Sequence, residues 1–288
     1  MNQAILFAVA TLGIIGIASA AILYIVAQKF KVIEDPRIDE VADVLPGANC
    51  GGCGFAGCRN LAENIVKAGT IESMRCPVGG NEVMKQVAAI MGLTAEEKEP
   101  MIAVLRCNGS RASAPKKVEY DGALNCQFAN ALYNGESGCP NGCLGLGDCV
   151  SSCQFGAMYL DETTGLPVID EDKCVACGSC VKSCPRRIIE LRKKGPKNRR
   201  IYVCCMNTEK GAVARKNCEV ACIGCGKCVK ACNFEAITLD NNLAYINFEK
   251  CTLCRKCVEE CPTGAIQEIN FKPRAPKQSA EKQEEVIA

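Results

Sequence analysis

From Ala4 to Val26 the chain reads AILFAVATLGIIGIASAAILYIV, a stretch without a single charged residue. At helical rise such a stretch spans roughly 34 Å, enough to cross the hydrocarbon core of a bilayer. Gln28, Lys29 and Lys31 follow at once, and no Lys or Arg precedes it. The positive-inside rule then puts the N-terminus outside and the remainder in the cytoplasm, as a single-pass protein of the cell membrane. Ala18-Ser19-Ala20 resembles a leader cleavage site, but a leader would carry a basic start and a shorter apolar run. Residues 1–28 are therefore read as a retained transmembrane anchor.

Beyond the anchor, apolar positions come in short pieces. Residues 32–46 are polar and mildly helical, and Pro46-Gly47 ends them. From Arg59 to Ala68, Leu61, Ile65 and Val66 share one side of a helix with Gly69 as its C-cap. Thr94 to Glu97 matches a capping box that Pro100 cuts short. Met101 to Leu105 reads as a buried strand running into Arg106-Cys107, and Ile201 to Val203 repeats that phrase ahead of Cys204-Cys205. Paired β-type segments follow: Ala157 to Leu160 with Pro167 to Ile169, then Ile237 to Leu239 with Ala244 to Phe248, the latter joined by an Asn241-Asn242 turn. From Phe271 onward proline and charge replace periodicity, which predicts a disordered tail over 272–288.

Cysteine changes this picture, because the 288 residues hold 25 of them and no histidine. Cys174, Cys177, Cys180 and Cys184 form a Cys-x2-Cys-x2-Cys-x3-Cys run closed by Pro185. Cys251, Cys254, Cys257 and Cys261 form another, closed by Pro262, and Cys222, Cys225, Cys228 and Cys232 a third. Cys139, Cys143, Cys149 and Cys153 make a stretched fourth. This spacing holds 4Fe-4S clusters, with the fourth cysteine of each run crossing to its partner's cluster. Applied here, Cys139, Cys143, Cys149 and Cys184 hold one cluster, and Cys153, Cys174, Cys177 and Cys180 a second. Cys222, Cys225, Cys228 and Cys261 hold a third, and Cys232, Cys251, Cys254 and Cys257 a fourth. Disulfides suit short secreted chains instead. Zinc prefers widely separated Cys-x2-Cys pairs, often with histidine, and the missing histidine also excludes His-ligated haem and Rieske centres.

A fifth cluster is expected from Cys50, Cys53, Cys58 and Cys76, where glycines between the first three let backbone N–H groups approach the sulfurs. Five cysteines remain: Cys107, Cys126, Cys204, Cys205 and Cys218. The repeated strand-then-cysteine phrase points to a sixth set, Cys107, Cys126, Cys205 and Cys218; the alternative is buried free thiols packing as small hydrophobes. No residue set for bond-making catalysis is visible, and no glycine fingerprint follows a strand to bind NAD or flavin.

These modules divide the chain into a 4Fe-4S module over 32–92, a connecting segment over 93–137, ferredoxin module 1 over 138–195, a second connector over 196–217, and ferredoxin module 2 over 218–271. The fold class is α+β: one N-terminal transmembrane helix, a small single-cluster module and two bacterial-type two-cluster ferredoxin modules, with little helical core. Thirty-four basic against 32 acidic residues leave no global field for nucleic acid. Arg186 to Arg200 nevertheless concentrates basic residues, either as a solvated linker or as a docking face for an acidic partner.

The order of features resembles one family, the B subunit of the Rnf (or Rsx) ion-translocating ferredoxin:NAD oxidoreductase. The resemblance rests on the helix at 4–26, PGANCGGCGFAGC at 46–58 with Cys76, GCLGLGDC at 142–149, and the second ferredoxin module at 222–261. It covers nearly the whole chain except the tail. It implies a membrane-anchored electron-input arm that takes electrons from reduced soluble ferredoxin and passes them to integral membrane partner subunits. There NAD is reduced on another subunit while sodium ions or protons move outward. The single helix lacks an intramembrane charge that could bind an ion, in keeping with that division of labour. A different class remains open: a membrane-anchored polyferredoxin of a hydrogenase or formate dehydrogenase, with no pump attached. A third reading, a zinc scaffold without redox work, predicts a colourless protein.

Overall fold

The computed structural model describes residues 2–29, 34–132 and 135–273; the expected tail lies almost wholly outside them. Helix α1 (Asn2–Lys29) leaves its apolar side chains bare, with Phe7 75% and Leu12 70% exposed. Leu6–Lys29 is long and apolar enough to cross a membrane, and so large a bare apolar surface calls for lipid or a protein partner.

Three helices make the next unit: α2 (Arg37–Val44), α3 (Cys58–Ala68) and α4 (Gly80–Met91). Ile38, Val41, Leu61, Ile65, Met84 and Val87 meet in its core, each contributing about 2 kcal/mol of burial. Helix α3 stops at Gly69, whose left-handed backbone (φ 64) lets its N–H reach the Ile65 carbonyl. This helical core is larger than the sequence pattern predicts, because α4 carries no local signal of its own. Nor do Thr94 to Glu97 begin a helix: the Asn81 side chain grips Lys98 N–H and C=O, and Arg75 Nη1 donates to the Glu96 carbonyl, holding the segment open.

Two α+β units with one plan follow. The first contains β1 (Met101–Leu105), α5 (Cys126–Leu132), α6 (Asp148–Ser151), β2 (Met158–Leu160), β3 (Pro167–Ile169), α7 (Ser179–Ser183) and β4 (Ile189–Lys193). β1 pairs antiparallel with β4, from Met101 opposite Lys193 to Leu105 opposite Ile189, and β2 pairs with β3. The second contains β5 (Arg200–Val203), α8 (Gly211–Asn217), α9 (Lys227–Ala231), β6 (Ile237–Asp240), β7 (Leu243–Ile246), α10 (Lys256–Glu259) and β8 (Ile266–Ile269). There β5 pairs with β8 and β6 with β7. Asn241 (φ 46) and Asn242 (φ 62) form the left-handed pair that a two-residue hairpin demands.

Segments expected to connect modules thus donate β1 and β5 to the sheets of the modules that follow. The two units share a seam where Ile102 and Val104 pack with Tyr202 and Cys204. Arg192 crosses that seam to donate to the Ile246 carbonyl at 2.9 Å. The basic run 186–200 is therefore neither a free linker nor one continuous face. Arg192 and Arg200 are 2% and 6% exposed, while Arg186 donates to the Cys139 and Gly142 carbonyls.

Candidate metal centres

Each cysteine run lies on a loop that turns into a short helix, and the turn needs one left-handed residue. Gly147 (φ 86), Gly178 (φ 79) and Gly226 (φ 70) fill that position ahead of α6, α7 and α9. Arg255 (φ 70) fills it ahead of α10, held by its ion pair with Glu268. The third cysteine of every run, Cys149, Cys180, Cys228 and Cys257, then sits on the first turns of its helix, buried beneath the adjoining strands.

Four cavities result, each walled by four cysteines. One is ringed by Cys153, Cys174, Cys177 and Cys180. A second is ringed by Cys222, Cys225, Cys228 and Cys261, and a third by Cys232, Cys251, Cys254 and Cys257. Around the fourth stand Cys143, Cys149, Cys184 and Cys126. Cys126, expected in a separate set, heads helix α5, where Asp148 accepts its N–H at 2.9 Å and the Gln127 N–H at 3.3 Å. Cys139, expected on this cavity, is not among the residues that wall it.

Cys139 lies instead with the cysteines that follow β1 and β5. Asn207, fully buried, donates its Nδ2 to Cys139 Sγ at 3.7 Å and its backbone N–H to Cys205 Sγ at 3.4 Å. Gly109 lies against both Cys218 Sγ and Cys107 Sγ. Burial pushes Cys205 and Cys218 up to about 11, with Cys139 within electrostatic reach of both. In the helical unit Cys76 is likewise raised, first by burial and further by Cys58 and Cys53; Gly79 N–H points at its sulfur, 3.4 Å away. Cys204, within electrostatic reach of Cys107 and Cys205, is buried with its Sγ 3.8 Å from the Leu105 carbonyl.

The sets touch in sequence. Gly52, between Cys50 and Cys53, lies against the backbone of Cys177, and Lys182 Nζ reaches the Gly51 carbonyl at 3.3 Å. Cys180 feels Cys149 and Cys153. Cys143 N–H donates to Cys107 Sγ at 3.3 Å. Cys205 feels Cys222, and Cys257 feels Cys228 and Cys232.

Donor chemistry and spacing fit iron–sulfur clusters. Each cavity presents four soft cysteine sulfurs, and N–H groups aimed at sulfur, such as Ala157 N–H on Cys153 Sγ at 3.4 Å, help set cluster potentials. Zinc would need sulfurs about 2.3 Å from one point. Among the described residues no three or more His, Cys, Asp or Glu side chains close to the spacing of a single ion; the sulfurs ring cavities instead.

Comparison with known proteins agrees. A 4Fe-4S dicluster domain matches residues 221–265, a 4Fe-4S binding domain residues 167–190, and an Fe-S cluster family residues 45–78. The chain is 45% identical to the B subunit of the Na(+)-translocating ferredoxin:NAD(+) oxidoreductase complex of Acetobacterium woodii, over 92% of this chain and 78% of that one. It is 42% identical to the B subunit of the ion-translocating oxidoreductase complex of Methanosarcina acetivorans, over 93% and 99%. To the B subunit of the proton-translocating ferredoxin:NAD(+) oxidoreductase complex of Clostridium ljungdahlii it is also 42% identical, over 93% and 94%.

Proposed function

The chain belongs to the B-subunit family of ion-translocating oxidoreductase complexes, and we propose that it is the membrane-anchored electron relay of a ferredoxin:NAD oxidoreductase with six iron–sulfur sites in series. The observation that carries this reading is the four cavities each walled by four cysteines; eight further cysteines would make two more sets, and the six would adjoin one another in single file. When bound, the clusters supply reversible one-electron acceptors.

The sets would be, in spatial order, Cys50/Cys53/Cys58/Cys76, then Cys153/Cys174/Cys177/Cys180, then Cys126/Cys143/Cys149/Cys184. Next come Cys107/Cys139/Cys205/Cys218, Cys222/Cys225/Cys228/Cys261 and Cys232/Cys251/Cys254/Cys257. The fourth set is supported by Asn207, which donates to the Cys139 and Cys205 sulfurs, and by Gly109, which lies against those of Cys107 and Cys218. It joins the two ferredoxin units, which would otherwise form two separate pairs. The first set lies on the unit that follows α1, so the series would run toward the membrane. Lys29 after α1 and the lack of Lys or Arg before it support cytoplasmic cluster units and an outward N-terminus. Soluble ferredoxin would be the donor and the other membrane subunits the acceptors; NAD reduction would take place on one of those.

Anaerobic purification of the intact complex tests the reading. Iron and sulfide should each reach about 24 per copy of this chain, four per cluster, and reduced ferredoxin should drive NADH formation. A content near twenty would remove the fourth set; a colourless zinc-loaded chain would remove the relay.

A further inference from the structure

At the far end of the series, beside Cys251, lies a cavity of about 250 Å³ lined by Arg192, Lys193, Arg199 and Arg200. Glu99 and Glu249 also line it. Lys193 is paired with Glu99 at 3.0 Å, Arg192 with Glu190, and Arg200 with Glu171. Even so, Arg192 Nη1, Arg199 Nε and Arg200 Nε are buried without an acceptor, and Arg192 is only 2% exposed. Native interiors seldom leave such donors unmatched.

These guanidinium groups are held in place before any ligand arrives. Arg192 lies over the rings of Tyr202, Tyr245 and Phe248 at 5.6, 5.1 and 5.6 Å, and Arg199 over Phe271 at 5.4 Å. Stacking of this kind fixes the planar fork that matches a carboxylate. Exposed Pro196 and Glu249 edge the cavity, so a side chain can reach it from solvent. Cys254, in the same set as Cys251, is itself exposed. Cationic reach, unsatisfied donors and an accessible terminal sulfur set coincide at one place.

We propose that this cavity is the electron-input port: it takes a carboxylate side chain of an acidic electron-donor protein and thereby seats the donor against the Cys232/Cys251/Cys254/Cys257 set. The inference rests on the relay reading above. The event is a one-electron transfer in which the donor is oxidised and this chain reduced, with no bond made or broken. Opposite charge speeds the encounter, and the arginine fork fixes its orientation.

The test uses the full-length chain, purified anaerobically with its clusters, and rapid mixing with reduced ferredoxin at low salt. Arg199 is the residue to change, since it makes no ion pair among the described residues of the core. Arg199→Glu should slow reduction at least tenfold and Arg199→Gln several-fold, with the difference fading as salt screens the charges. Exposed Lys230, on the α9 helix that follows exposed Cys225, serves as the rival port, and Lys230→Glu should react at the wild-type rate. Reduced methyl viologen, a small cation, should bleach every variant equally, which verifies that each is loaded; should Arg199→Glu fail to assemble, Arg199→Gln decides. Wild-type speed in both Arg199 variants, or slowing in Lys230→Glu alone, overturns the port while leaving the relay intact. A wild-type chain that methyl viologen reduces and ferredoxin does not overturns both.

Discussion

Leu146 occupies the second ligand position of its run, where Cys177, Cys225 and Cys254 stand in the other three. That gap has a consequence at the level of single residues: the missing sulfur must come from elsewhere, and Cys126 at the head of α5 stands on the cavity that lacks it. Cys126→Ser should therefore cost about four irons from the set holding Cys143, Cys149 and Cys184, whereas Cys139→Ser should cost the set holding Cys107, Cys205 and Cys218. Anaerobic structures of the two variants check which site empties, and the same site emptying in both would refute the separation. Neighbouring Cys204 and Cys205 give a second contrast. Burial pushes the Cys204 thiol up to about 12, and its sulfur faces a carbonyl, so Cys204→Ala should keep its full iron content at a stability cost of about 1 kcal/mol. Cys205→Ser should lose about four irons. Most of the cysteines that wall the four cavities are legible in the sequence, because loop ligation needs fixed short spacings. Cys126 and Cys139 stand the other way round from what spacing predicts, since only tertiary packing decides which isolated cysteine reaches which cavity; the in-frame leucine is the one local sign.

Among elements, the strands β1 and β5 are readable from their apolar runs, but their partners are not. Nothing local tells Met101–Leu105 to cross to Ile189–Lys193, because pairing across so long a separation is settled by burial on the finished core. Helix α4 is hidden for the opposite reason: Gly79 and Gly80 ahead of it look like a loop, and only packing of Met84 and Val87 against α2 and α3 makes the segment helical. The capping box at Thr94 loses to the Asn81 side chain, which satisfies Lys98 in an extended form. The contact between the helical unit and the first ferredoxin unit depends on a missing side chain. A Cβ on Gly52 would sit 2.7 Å from the Cys177 carbonyl oxygen and 3.0 Å from its Cα, backbone atoms that cannot turn aside. Gly52→Ala should thus keep all its iron yet part the two units, so that the already largely exposed segment 92–100 is cut faster in limited proteolysis. Unchanged proteolysis with unchanged iron would show that the two loops tolerate the methyl.

For the molecule as a whole, a single file of sets differs from two independent ferredoxin pairs in what one lesion does. The proposed Cys107/Cys139/Cys205/Cys218 set would lie between the units, linked through the Cys143 N–H to Cys107 Sγ on one side and Cys205 near Cys222 on the other. Cys218→Ser should empty that set alone, because Cys218 lies just after α8 and walls none of the four cysteine-ringed cavities. If electrons arrive beside Cys251, the two sets of the second ferredoxin unit should still be reduced rapidly by ferredoxin in this variant, and the three nearer α1 only slowly. Fast bleaching would then fall to about two-fifths of the remaining absorbance, two of five clusters. Wild-type chain should bleach in one fast phase, and neither protein should form NADH when NAD is added without partner subunits. In the intact complex the same variant should lose at least about tenfold in ferredoxin-dependent NAD reduction, since each tenfold is only about 1.4 kcal/mol of barrier. Full-speed NADH formation by the variant complex would mean that electrons bypass the middle set, and the sets would then work in parallel.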